Sequence, residues 1–297
     1  MTNTLKMRNN NKPKLFNIIN GTLLILFSLI TIYPMFYVLI GAFSHGDAYS
    51  AGGAWLFPRQ FTLSNFIVIL SDDMLWYAFR NTIMKTVIGT GLSLIFTSIV
   101  AYAMSRKKLK FRKTIRAISL FTMFFSGGLI PYFVLINYMG LYDNFLVYII
   151  PSLYSVYNMI ILSSFFAGIP NDLHEAAEID GASEFYIYRK IYMPLAKPAL
   201  ATIALWSAVG HWNSYFSTMI YSNAGKKMIT LQYYLMGVIN QANYTIGDNI
   251  SPGIIEEVTS TTVSYAAIII ATIPILLIYP FLQKYFTFGI QEGASKG

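Results

Sequence analysis

Residues 15–42 read LFNIINGTLLILFSLITIYPMFYVLIGA, with no Asp, Glu, Lys or Arg among them. A hydrocarbon core about 30 Å thick is crossed by roughly 20 helical residues at 1.5 Å each, so this stretch can span a bilayer with residues to spare. It is far longer than a signal-peptide core and lacks a small-residue cleavage site, which predicts a retained helix. The rest of the chain has the same character. Of 297 residues 55% are apolar and only 11% charged, against roughly 25% charged in soluble domains. That argues against an ordinary soluble enzyme and for an integral membrane protein.

Working outward, five further segments are long and apolar enough: Asn81 to Met104, Ile115 to Met139, Phe145 to Ile169, Ala199 to Tyr221 and Thr261 to Gln283. The expected fold is all-α, a polytopic membrane protein with six transmembrane helices. It divides into a tail at 1–14, a membrane domain at 15–283 and a C-terminal tail at 284–297. Of the 21 Lys and Arg, 16 fall in the two tails and in the loops after the second and fourth spans. The positive-inside rule makes that side cytoplasmic, so both termini are expected on the cytoplasmic side. The stretches 43–80 and 222–260 become long outer loops, with turns at Asn243 to Gly253.

Several chemistries find no support. Cys is absent, which removes disulfides, thiolate nucleophiles and thiolate metal sites. His45, His174 and His211 form no HExxH pair, so no metal site is expected. The net charge of +8 is accounted for by cytoplasmic loops and lipid contact, without nucleic acid. No GxxxxGK[ST] occurs, so the chain carries no nucleotide loop of its own.

The loop at 170–195, between the fourth and fifth spans, is more than a linker. Pro170, Asn171 and Asp172 suit a helix start. Leu173, Ala176, Ala177 and Asp180 share a narrow face at helical spacing. Glu175 and Glu178 sit near the end favoured by anions. Gly181 permits a sharp turn. A second short helix follows, with Phe185, Tyr188, Ile191 and Tyr192 near one face and Pro194 at its end. Such an elbow either docks into a soluble partner or rests on the bilayer as an amphipathic connector, and the residues alone leave both open.

Glu175-Ala176-Ala177, then Gly181, then Ile191-x-Met193-Pro194 resembles the EAA loop of ABC importer permeases, with both spacings matched and Met193 in place of the usual Leu. Six spans and the terminal Gly-Ala-Ser-Lys-Gly (293–297) are similar to the carbohydrate (maltose-type) family. Phe125-Ser-Gly-Gly-Leu-Ile-Pro131 is similar to its LplC-like subgroup. The resemblance implies the type I ABC importer permease fold and a sugar or oligosaccharide cargo. It implies a second homologous permease in a heterodimer, two ATPase subunits that hold ATP and Mg, and an extracytoplasmic solute-binding protein. This chain itself would bind no cofactor. The ATPase-coupling residues implied are Glu175, Ala176, Ala177, Asp180, Gly181, Phe185 and Pro194. Residues 291–297 would reach between the ATPase subunits.

Within the spans no Asp or Glu occurs, which argues against proton or sodium coupling and a stand-alone secondary transporter. Lys85 is expected near the outer end of the second span, where its long stem can snorkel. Trp206, His211, Trp212, Asn213 and Tyr215 in the fifth span suit sugar recognition by stacking and hydrogen bonding. Ser126, Gly127 and Gly128 in the third suit a flexible gate, with Pro131 permitting a kink. These residues form the expected substrate path, and helix packing is the competing reading for each. Another cargo, such as a peptide, an amino acid or a phosphate-containing solute, remains the alternative within the importer class.

Overall fold

The computed structural model describes residues 14–240 and 252–294, and among these it holds helices and one isolated bridge, Ser44 to Phe61, with no strand. Residues 1–13, most of the turn-rich stretch Asn243 to Gly253, and 295–297 at the C-terminus lie outside the described residues. In chain order the helices are α1 (Lys14–Ala42), α2 (Gly46–Ser50), α3 (Ser64–Leu70), α4 (Asp73–Ser105), α5 (Arg112–Phe124) and α6 (Leu129–Tyr138). After two 3-10 turns at Phe145–Tyr148 and Ile150–Ser152 come α7 (Val156–Ala167), α8 (Asn171–Ile179) and α9 (Glu184–Ile187). A wide π turn, Tyr188–Tyr192, leads to α10 (Met193–Leu195) and α11 (Lys197–Asn213). The rest is α12 (Phe216–Tyr221), α13 (Leu231–Asn240), α14 (Pro252–Glu256) and α15 (Ser260–Ala294).

Two compact units result, one drawn from Met1–Val68 and Ile250–Ile269, the other from Ile69–Asn249 and Ile270–Gly297. In the first, α1 runs unbroken through Pro34 with most of its apolar side chains exposed, as a lipid-facing helix requires. Its end is tied down by tyrosines: Tyr49 Oη donates to Tyr37 Oη at 2.7 Å and to Tyr265 Oη at 3.1 Å. Glu257 accepts from Ser64 Oγ (2.5 Å) and Thr62 Oγ1 (2.8 Å), so this carboxylate is satisfied by hydroxyls and held below the usual carboxylate range by them.

The second unit is built on α4, against which α7 and α11 pack. Its core joins Tyr102 and Met104 of α4, Leu162 and Phe166 of α7, Tyr188 and Tyr192 of the π turn, and Leu200 and Ile203 of α11. Asp72 starts α4 by accepting from the Met74 amide at 2.8 Å, so the helix begins two turns before the expected Asn81.

Among the described residues three helices are long and apolar enough to cross a bilayer alone: Phe16–Ala42, Asp73–Ser105 and Ser260–Ile278. Counting each bent pair as one span gives up to five. The third expected span is no single helix: α5 and α6 meet at 113°. The break falls on Ser126-Gly127-Gly128, where Gly128 adopts φ 88°, a conformation glycine alone takes freely. The fourth bends by 44°, because Pro151 lies in the 3-10 turns and Ser155 caps a fresh helix start at α7. The fifth divides at Ser214, whose extended backbone separates α11 from α12. Toward the C-terminus, α15 continues past the expected limit at Gln283 to Ala294.

Candidate functional site

Two polar places stand out in the second unit: an exposed elbow and an open cavity with a buried lysine in its wall. The elbow is α8 followed by α9. At α8, Glu175 is exposed and its Oε1 accepts from Asn171 Nδ2 one turn earlier. Ala176 and Asp180 are exposed with it, Leu173 too, while Ala177 turns inward against the core. The face of small residues therefore points out, available for contact. Gly181 holds φ 77° at the turn, and Ser183 caps α9 by accepting from the Tyr186 amide at 3.3 Å. Phe185 stands 64% exposed, a large ring on the surface beside the acids.

The stem beneath this tip is anchored to α4. Tyr188 Oη and Ser98 Oγ lie 2.7 Å apart, Arg106 donates to Tyr192 Oη at 2.7 Å, and Tyr102 donates to Glu184. Lys108 pairs with Glu178 at 2.9 Å, which keeps that carboxyl below its ordinary range. Pro194 does not end the second helix as expected. The chain stays helical through it to Leu195, because the π turn just before it loosens the ladder where a proline lacks its N–H and crowds the carbonyl four residues back.

Sequence reasoning missed His174. Its ring is 1% exposed, packed edge-on against Tyr192 at 6.2 Å, and both ring nitrogens lack a hydrogen-bond partner. Its Nε2 lies 3.6 Å from Glu184 and 3.9 Å from Glu178. Burial, with Arg106 adding to it, holds its pKa below the usual histidine value. The signal available was the i, i+4 spacing of His174 and Glu178 on the face opposite Leu173.

The second place is a cavity of about 350 Å³ between α4, the 3-10 turns, α7 and α11. Lys85, Tyr148, Ser155, Asn158, Ser207 and His211 are among the groups that line it. Lys85 does not snorkel. It is 2% exposed, its Nζ donates to the Ser214 carbonyl at 3.1 Å and lies 4.8 Å from the centre of the Tyr148 ring. The earlier start of α4 is the reason, since it moves Lys85 inward from the helix end. His211 sits against Gly89, so close that a Cβ there would come within 2.5 Å of its ring.

The expected path residues separate. His211 faces this polar cavity. Trp206 and Trp212 line a different, apolar groove with Thr86, Val209, Ile275 and Ile278. There Trp206 packs on Tyr157 at 6.0 Å, and Trp212 Nε1 donates to the Ala271 carbonyl at 3.3 Å. Asn213 accepts from Gln232 at 3.3 Å and Tyr215 is exposed beyond the end of α11. Ser126, Gly127 and Gly128 lie exposed at the α5–α6 break. Among the described residues no cluster of His, Cys, Asp and Glu is suited to a metal ion.

Comparison with known proteins covers nearly the whole chain. The family model described as "Binding-protein-dependent transport system inner membrane component" matches residues 10–292. The chain is 36% identical to the polygalacturonan/rhamnogalacturonan transport system permease protein YtcP of Bacillus subtilis (strain 168), over 96% of this chain and 100% of that one. It is 34% identical to Protein LplC of the same organism, over 98% of each. A subunit in the crystal structure of a bacterial ABC transporter involved in the import of the acidic polysaccharide alginate superposes with a TM-score of 0.86 at 35% identity. That match covers 96% of this chain and 100% of the other.

Proposed function

The chain belongs to the binding-protein-dependent transport system inner membrane components, and from that premise we propose that it forms half of the passage through an ATP-driven sugar importer. It is an integral membrane permease subunit and not an enzyme. The other half is a second, homologous permease. Two ATPase subunits drive the pair from the cytoplasm, with ATP and Mg held by them. A solute-binding protein delivers the cargo on the outer side.

In this reading the chain crosses the bilayer six times, with α5–α6, the 3-10 turns with α7, and α11–α12 each making one bent crossing. Both termini are cytoplasmic in this reading, which the distribution of Lys and Arg supports. The cargo is a saccharide, in keeping with the names of YtcP and the alginate importer.

The observation that carries the reading is the elbow at α8–α9. An exposed acid, an exposed ring and small side chains surround a glycine turn, on a stem bonded to α4. Glu175 pairs with a basic group of the ATPase, Ala176, Ala177, Asp180 and Phe185 pack around it, and Pro194 lies at the base. Movement of the ATPase pair pulls on the stem and so on α4, α7 and α11, which rotates the passage between its two open states. The bilayer-connector alternative fits less well, because the acids Glu175 and Asp180 are both exposed.

The test is reconstitution. Alone, the purified chain hydrolyses no ATP. With the second permease, the ATPases and loaded binding protein, ATP hydrolysis rises and sugar enters proteoliposomes. Uphill sugar uptake by the chain alone overturns the reading.

A further inference from the structure

We propose that the cavity around Lys85 is a carboxylate-binding subsite on the passage, so that the saccharide carried is a sugar acid. The inference rests on the importer reading above and narrows its cargo.

Lys85 is the starting point. An ammonium group inside a membrane protein is costly and is kept where it has a charged partner or lines a path. None of the ion pairs among the described residues includes Lys85. Its Nζ donates to a neutral carbonyl, Ser214, and lies over the Tyr148 ring, with His211 also lining the same cavity. An ammonium has three N–H donors, so the protein leaves part of this charge to be answered by something else.

The cavity is furnished for the answer. Its wall is made of hydroxyls and amides, with Ser155, Asn158 and Ser207 beside Lys85 and His211. Those groups hydrogen-bond sugar hydroxyls, and about 350 Å³ falls within the range of small-molecule sites. Lys85 is the only Lys or Arg in the lining. One fixed positive charge suits one carboxylate per sugar ring, whereas a phosphate dianion calls for more donors of charge-assisted bonds. Gly89 adds a geometric point: a Cβ there would come within 2.5 Å of the His211 ring, so the glycine lets His211 keep its place in the lining.

A structural role competes. Ser214 closes α11, and a cation there is favoured by the helix dipole. That role predicts a loss of assembly on removing Lys85, but no dependence on the charge of the cargo.

The experiment therefore reads charge selectivity. The full complex, with one unchanged binding protein throughout, is placed in proteoliposomes. Initial uptake is measured for trimers of galacturonate and of mannuronate and for their carboxyl-reduced, neutral counterparts. Wild type is expected to favour the acids, and Lys85→Met to lower the acid-to-neutral ratio by about tenfold, the size of one charge-assisted hydrogen bond. If Lys85→Met does not assemble, Asn158→Asp carries the test, since it supplies a carboxylate inside the cavity and is expected to lower the same ratio. Equal uptake of acids and neutral sugars by wild type overturns the subsite and leaves the sugar importer standing. So does an unaltered ratio in whichever variant assembles. A wild-type complex that moves none of the four overturns the saccharide reading and the subsite with it.

Discussion

The elbow and the cavity treat polar groups in opposite ways. At the elbow, charge is turned outward: Glu175 and Asp180 are exposed, and the stem beneath them is tied to α4 through Tyr192 and Arg106. In the cavity, charge is turned inward, and Lys85 is buried against a carbonyl and a ring with no carboxylate in the lining. An exposed acid costs little until a partner arrives, so the elbow can wait for a protein. A buried cation costs at all times, and the proposed subsite gives that cost a use. On the proposed function, the difference separates where force enters the subunit from where cargo is recognised.

The largest effect that would test this contrast is expected from Gly181→Pro. Proline is fixed near φ −65°, while position 181 sits at 77°. Forcing the turn costs at least ~1–3 kcal/mol, and uptake should fall about tenfold or more while the chain still inserts. Normal uptake would show that the elbow transmits nothing.

On the cavity side, Gly89→Ala gains roughly 0.5–1 kcal/mol in helix propensity but meets the His211 ring at about 2.5 Å, and overpacking costs about 1–3 kcal/mol. Overpacking wins, so thermal stability of the purified complex should drop. His211→Ala in the same chain should restore most of it. Additive losses would mean that His211 is not boxed in by α4.

A smaller effect is expected from Tyr192→Phe, which removes the acceptor of Arg106 and should cost about 1 kcal/mol, read as a lower midpoint for unfolding. Uptake per folded complex should fall as well, since the stem then holds α4 less firmly. A stability loss with uptake intact would uncouple stem from passage.

The mildest perturbation is acid. His174 has its folded pKa below the unfolded value, so the folded state resists the proton that the unfolded chain accepts. The stabilising contribution of the neutral ring is whole above the unfolded value of about 6.5 and declines as pH falls below it. Stability measured from pH 7.5 to 5.5 should decline less in His174→Asn than in wild type, and equal slopes would remove His174 as the cause.

The elbow was legible in the sequence because its chemistry is contiguous. Glu175, Gly181 and Pro194 lie within twenty residues of one another, although helical spacing grouped Ala177 with Leu173, Ala176 and Asp180 and the structure turns Ala177 inward. His174 escaped notice because a lone histidine says nothing until Tyr192 closes over it. The cavity was legible only in part. His211 was singled out by its depth in the fifth span, but Lys85, Tyr148 and Asn158 come from three other stretches and meet only through packing. Trp206 and Trp212 were grouped with His211 by nearness in sequence, whereas a helix turn of 100° per residue sends them to another groove. The expected helical spans were sound as apolar stretches and unsound as straight rods, since hydropathy is blind to the caps at Asp72 and Ser155 and to the glycine pair in the third.

That glycine pair has a consequence for how the subunit is made. Between Phe125 and Gly128 the backbone leaves the helical ladder, and hydrocarbon offers nothing to amides left bare. Only a neighbouring chain or a water-filled channel can solvate them. On the proposed pairing with a second permease, a copy made without that companion leaves this corner bare in the lipid, and its survival in the cell is expected to track the supply of the companion rather than its own rate of synthesis.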